Sequence, residues 1–364
     1  MRKVFAVATI IVVAIIIGIF VINNREADTA VTKEVTKVGV ILNGTIDDHS
    51  WGQSHYEGME STAKELNLSV IYKENVKVEE VSGIVEAFAK EDCKVIVANS
   101  FAFGEKMTEA ANQYPEIYFL HATGTGYQKN LSTYFGRIYQ IRYLCGIVAG
   151  LQTKTNEIGY VAAFPISEVN RGINAFTLGV RSVNPDATVY VSWANSWEDD
   201  EATATATTKL LNHHNIDVIT MHSDSISPLE IAEERGVMSI GYNLDNSRDY
   251  PNTYLTAAVW DWDAFYTPII YKCLQGKFEG KNYWEGIKTG MVSLAPLTDK
   301  VNEGSEEVVL REMERISSGT YDVFYGPIYD NKGMLRVKEG ECMTDNAMLN
   351  EFDWYVDGVV NDEE

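Results

Sequence analysis

What this chain can fold into is limited most by an alternation that runs along most of its length. Apolar runs of strand size, Val38–Leu42, Ser69–Tyr72, Val95–Ala98 and Tyr118–His121, are separated by helix-like stretches near Ser54–Leu66, Glu80–Lys90 and Gly104–Gln113. Such βαβα order implies a parallel sheet with helices on both faces. The pattern then restarts. Tyr139–Thr153 reads as a long apolar helix. The strand-like runs Ile158–Ala163, Thr188–Trp193, Asp217–Met221 and Met238–Gly241 follow, separated by helices near Asn170–Val183, Asp199–His213 and Pro228–Arg235. Two successive α/β units predict two similar lobes, with the glycine-rich stretch Gly124–Gly126 as a hinge turn. A late strand, Tyr254–Val259, and a helix near Trp262–Leu274 are expected to return to the first lobe, so that several segments cross the hinge. The expected division is residues 1–35 as anchor and linker, 36–128 with 250–288 as the first lobe, and 129–249 with 289–364 as the second.

The N-terminus sets the compartment. Val4 to Ile22 carries no charged side chain and follows Arg2 and Lys3. As a helix it would be about 29 Å long, close to the hydrocarbon thickness of a bilayer. The preceding positive charge favours a cytoplasmic N-terminus and an exported remainder. An uncleaved membrane anchor is expected, with cleavage near Ala27–Ala30 as the alternative. The net charge of −22 repels phosphate backbones and argues against nucleic acid as a partner. The four cysteines, Cys93, Cys145, Cys273 and Cys342, are far apart and lack a CxxC pair, so zinc is not expected and free thiols are.

Enzyme motifs are largely missing. There is no GxSxG and no HExxH, and Gly276…Gly280-Lys281 imitates a phosphate loop one residue short, ending in Asn282. No catalytic residue, metal or cofactor is expected. What remains is a set of aromatic, amide and carboxylate residues placed just after strands, where open α/β sheets hold their ligands. Asp48 and Trp51 follow the first strand, and Phe101 follows the third. Trp197, then His222 and Asp224, then Asn243 and Asp245, follow strands of the second unit, and Trp260 ends the late strand. Aromatic faces with carboxylate and amide edges suit a flat heterocycle bearing N–H groups, such as a purine. A sugar is the competing ligand. It would want charged partners of both signs, for which Arg137, Arg142 and Arg171 are candidates, although Arg171 can equally bridge to Glu168.

The segment DDHSWGQSHYEGM resembles the Asn-Asp-x-Ser-Phe-Asn and Gln-Ser-x-Tyr-Glu-Gly blocks of the basic membrane protein (Med-like) family, substrate-binding proteins of ABC importers. The block RIYQIRYLCGIVAGLQTKTNEIGYVAAFPISEVNRGINAFTLGVRSVNP, the Gly241–Ser247 loop, GPIYDNKG and DWYVDGV extend the likeness over about Lys37 to Asp362. The resemblance implies a type I periplasmic-binding-protein fold, two Rossmann-like lobes joined by a multi-crossing hinge. It also implies capture of a purine base or nucleoside between the lobes and delivery to permease subunits. It puts Asp48 at the base-binding carboxylate and Trp51 at the stacking aromatic. Three departures stand out. Trp260 occupies the place of a lysine that helps hold ribose. His222-Ser-Asp224 replaces a glycine-rich loop, and Asn243 stands where the family has Asp. These changes favour a free base, such as adenine, over a nucleoside. A sensory receptor of the same fold, for a sugar or another small solute, is the alternative.

Overall fold

The computed structural model describes residues 35–362, so the expected anchor at 4–22 lies outside the described residues. Among the described residues no helix is long and apolar enough to cross a membrane. Lys37–Glu364 forms one contact-defined unit, built on two large sheets.

The first sheet begins with β1 (Lys37–Ile41), followed by α1 (Trp51–Leu66), β2 (Ser69–Lys73), α2 (Val81–Lys90), β3 (Cys93–Ala98), α3 (Gly104–Gln113), β4 (Tyr118–Ala122) and β5 (Leu131–Gly136). Their order is β11-β5-β4-β3-β1-β2, where β11 is Asn282–Glu285, and every pairing is parallel. β1 and β3 are buried almost throughout, which is why they read as continuous apolar runs.

The second sheet is entered through α4 (Tyr139–Gln152) and contains β6 (Glu157–Ala162), α5 (Ser167–Val183), β7 (Thr188–Trp193), α6 (Asp200–His213), β8 (Val218–His222), α7 (Ser227–Arg235), β9 (Met238–Asn243) and β10 (Tyr254–Trp260). Its order is β12-β10-β9-β8-β6-β7-β15, with β12 (Val292–Leu294) antiparallel to β10 and β15 (Val359–Asn361) parallel to β7. Helices α4 and α5 pack at backbone distance. A Cβ at Gly146 would come 2.0 Å from the Phe176 carbonyl, and one at Gly179 would come 2.0 Å from that of Tyr143. This mutual requirement for glycine lies in the longest block that carries the family resemblance.

The chain passes between sheets three times, at 137–138, at 261–262 and at 286–291. The strand Tyr254–Trp260 and the helix after it, expected to return to the first lobe together, separate. β10 stays in the second sheet, beside β9. Only α8 (Asp263–Leu274) returns to the first lobe, where Ser61 bonds Asp263 at 2.8 Å and Thr62 bonds Thr267 at 3.0 Å. β5, unrecognised because Ser132 and Thr133 interrupt its apolar run, belongs to the first sheet. Gly124–Gly126 is therefore the β4–β5 turn, and no crossing occurs there.

The tail after β12 contains α9 (Ser305–Ser317), a hairpin of β13 (Ile328–Tyr329) with β14 (Leu335–Val337), and α10 (Asp345–Asn350). It is bound to α5: the Asn170 amide donates to the Phe352 carbonyl at 2.8 Å and the Asn174 amide to that of Trp354 at 2.9 Å. The four cysteines are free, and all but Cys342 are buried.

Candidate ligand-binding cleft

The carboxyl ends of both sheets meet, and hydrogen bonds join them. The Asn43 amide, just past β1, donates to Glu198 Oε1 past β7 at 2.6 Å. Asn243, at the end of β9, donates through Nδ2 to Ser50 Oγ at 2.8 Å. Asn246 Nδ2 reaches the His49 carbonyl at 3.2 Å.

On the first-lobe side, Asp48 opens α1. Its carboxylate accepts from the backbone N–H groups of Ser50, Gly52 and Gln53 at 2.9, 2.7 and 2.9 Å, taking the place of an N-cap side chain. Trp51 is half-buried, and its indole N–H donates to the Asn99 carbonyl at 3.0 Å. The side-chain amides here are incompletely used, since Asn43 Oδ1 and Asn99 Nδ2 are buried without partners.

On the second-lobe side, Trp197 is half-buried and meets the His222 ring edge to face at 6.1 Å. Its carbonyl accepts the Asp224 N–H at 2.8 Å. His222 is fully buried, with Nδ1 3.1 Å from the Tyr160 hydroxyl and Nε2 unpartnered. Burial, with Arg142 and Arg171 adding, holds its pKa well below that of a free imidazole, so it is neutral. Asp224 is pushed well above the ordinary carboxylate range. Burial is the main cause and Asp48, Glu198 and Glu168 add to it, while the Asn243 amide, 2.8 Å from Oδ1, opposes. Burial likewise raises Glu198, with Asp48 adding, and raises Glu168 against the pull of Arg171 and Arg142. Carboxyls of both lobes therefore share one field, and those of the second lobe carry less negative charge than their number suggests.

The hinge holds an aromatic stack. Trp260 lies on Trp262 at 4.7 Å and 11°, and Trp262 on His55 at 4.3 Å and 10°. Trp51 stands nearly perpendicular to all three rings, with centroids 4.4–5.8 Å away. Trp260 also donates its indole N–H to Asn243 Oδ1 at 2.8 Å. Trp260 is thus buried hinge packing, with its polar handle spent inside the protein.

The nine residues expected to form the site separate accordingly. Trp51, Trp197, His222, Asp224 and Asn243 gather around the strand ends, with Asp48 beneath them as a helix cap. Phe101 is 68% exposed on a short 3-10 turn. Asp245 is exposed and closes its own turn by accepting the Ser247 N–H at 3.0 Å. Both stand outside the cluster. Arg171 bonds the Met348 carbonyl at 2.6 Å and feels Glu168 through space. Sequence reasoning passed over Asn43, Ser50, Glu198, Tyr160 and Tyr242. Asn43 and Glu198 had a usable signal, since each follows a strand. A separate surface concavity of about 600 Å³ in the tail, bordered by Arg336, Cys342 and Trp354, shares none of these residues. Among the described residues no group of three or more His, Cys, Asp or Glu side chains is arranged to hold a metal.

Residues 35–324 match the family described as ABC transporter substrate-binding protein PnrA-like. The chain belongs to this family. It is 34% identical over 333 residues to a purine-binding protein of Brucella abortus, covering 90% of this chain and 93% of that one. It is also 34% identical over 315 residues to a putative ABC transporter glucose-binding protein of Haloferax volcanii, covering 86% and 78%. Among solved structures, a transcriptional activator of the comK gene from Bacillus halodurans aligns with TM-score 0.70 at 22% identity, covering 78% of this chain and 99% of that one. A solute-binding protein of an ABC transporter system from Conexibacter woesei aligns at 0.68 and 19%, covering 79% and 98%. Solved periplasmic solute-binding proteins share its fold. As a member of this family the protein is an extracytoplasmic solute-binding component of an ABC transporter, a binder of small molecules that works with permease subunits, and not an enzyme.

Proposed function

We propose that the protein captures a purine, as the free base in preference to the nucleoside, between its lobes for import, tethered to the membrane through residues 4–22. The strongest support is the pair of half-buried tryptophans, Trp51 at the start of α1 in the first lobe and Trp197 past β7 in the second, together with buried amide atoms without partners, Asn43 Oδ1 and Asn99 Nδ2. Two indoles supply faces for a flat ring, and a free acceptor and donor suit its edge. Burial holds the Asp224 carboxyl well above the ordinary carboxylate range, so it takes up a proton more readily than a free carboxylate and, when protonated, offers an O–H donor. The Brucella relative is named for purine binding. The base is favoured over its riboside because Trp260, where the family resemblance has lysine, is locked in the hinge stack and offers no ammonium to ribose. Ligand bridging both lobes would add to the contacts of Asn43 with Glu198 and of Ser50 with Asn243, favouring the closed form.

Calorimetric titration of the purified chain with purine bases, their ribosides and glucose tests this reading. Saturable binding of bases, tighter than of ribosides, is expected. Binding of glucose alone, as the name of the Haloferax relative suggests for that protein, would remove it.

A further inference from the structure

Arg142 carries buried donors that the fold leaves unused. Its side chain is fully buried, and Nη1 donates to the Met221 carbonyl at 2.7 Å, but Nε and Nη2 have no partner. Those two nitrogens form one edge of the guanidinium, with their N–H bonds parallel. This is the fork by which arginine holds two acceptors at once. Its plane is set by the Tyr242 ring, 4.0 Å from the guanidinium carbon, with Tyr160 at 5.7 Å. Tyr160 in turn holds His222, whose Nε2 is likewise buried without a partner. A buried donor without an acceptor costs about 1–3 kcal/mol, and more when charged. Two on one cation, at the carboxyl ends of β8 and β9, are provision for an acceptor from outside the chain.

We infer that the free edge of Arg142, with His222 beside it, reads an acceptor-rich ligand edge and selects 6-oxopurines over 6-aminopurines. The inference rests on the purine reading above and names its substrate class. Hypoxanthine and guanine present O6 and N7 side by side as acceptors, the pair that an arginine fork matches. Adenine puts its N6 amino group, a donor, at one of those two places. The guanidinium would then face a donor, and one buried N–H would stay unsatisfied.

The test is calorimetric titration of the full chain and its Arg142→Met and Arg142→Lys variants with hypoxanthine and adenine, with glucose as control. Bidentate discrimination of about 1–3 kcal/mol corresponds to a preference of about 5- to 150-fold for hypoxanthine in the parent protein. Arg142→Met should abolish that preference by weakening hypoxanthine selectively. Arg142→Lys should abolish it too, because an ammonium keeps the charge and lacks the fork. If Arg142→Met fails to fold, judged by circular dichroism, the parent ranking and the lysine variant decide. Adenine binding as tightly as hypoxanthine, or equal weakening of both by the variants, overturns the inference and leaves the purine reading intact. Glucose binding with no purine binding overturns both.

Discussion

Asp224 gives the most direct test of the cleft electrostatics. Its carboxyl is held well above the ordinary carboxylate range by burial, with Asp48, Glu198 and Glu168 adding. A carboxyl with a raised folded-state pKa binds more protons folded than unfolded over the interval between the two values. Stability is therefore greatest below the unfolded value, falls as pH rises through the interval, and levels off above the folded value. The slope approaches about 1.4 kcal/mol per pH unit for one proton. Asp224→Asn removes this titration yet keeps an oxygen to accept from Asn243 Nδ2. The variant and parent should be similar near pH 4, with the variant gaining up to about 1.4 kcal/mol for each unit above that until the difference levels off. His55 and His222, both held neutral by burial, lose stability in the opposite direction below pH 6.5, but both proteins share that effect. Urea unfolding from pH 4 to 8 measures the difference directly. A pH-independent difference, or a variant less stable throughout, would refute the account of a carboxyl whose proton affinity is raised chiefly by burial.

Trp197→Ala should weaken ligand binding by roughly tenfold, from the lost stacking of about 0.5–1.5 kcal/mol beyond burial, with little change in unfolding temperature because the ring is half-exposed. Equal loss of stability and binding would make it a structural residue. Trp262→Ala removes the middle ring of the hinge stack and should cost about 3–5 kcal/mol of stability in urea unfolding. A loss below about 1 kcal/mol would mean the stack is not a packing element. The buried thiols are pushed up, Cys93 to about 11 and Cys145 and Cys273 to about 12, whereas Cys342 is exposed. A thiol-reactive chromophore should therefore label only Cys342 in the native protein and all four cysteines in denaturant, and fast native labelling of a second would contradict the fold.

The alternation of strands and helices was legible because every pairing but that of β12 with β10 in the two large sheets is parallel and the central strands are covered on both faces, so they appear as apolar runs. The exceptions mark where that signal fails. β5 carries Ser132 and Thr133, whose polar groups are satisfied far from their neighbours in sequence: Thr133 donates to the Gly126 carbonyl at 2.9 Å and Ser132 Oγ accepts the Lys281 N–H at 3.0 Å. β11 and β12 have only four and three residues and lie at the sheet edges, too short for a period to show. The return of α8 without β10 was invisible for another reason. Trp260-Asp261-Trp262 reads as a strand end and a helix start in any lobe, and long-range contacts such as the stack of Trp262 on His55 and the bond of Ser61 to Asp263 fix which lobe receives the helix.

The candidate site was legible in position and less so in role. A strand end predicts that a residue borders the crevice, but the direction of its polar atoms depends on neighbours far away in the chain. Asp48 reads as a ligand carboxylate until the Gly52 and Gln53 N–H groups of α1 occupy both its oxygens. Trp260 reads as a stacking face until Trp262 covers it. Asn243 is the sharpest case. Its side chain joins Ser50 in the first lobe, Asp224 in the second and Trp260 at the hinge, three partners with no shared spacing. Its backbone is left-handed, at φ 70°, a conformation asparagine tolerates better than most residues. An aspartate at this position would keep the bond from Trp260 but face Asp224 with a second carboxyl in place of a donor. The exchange to asparagine therefore fits the buried carboxyl beside it, and the two positions act as one feature of the cleft.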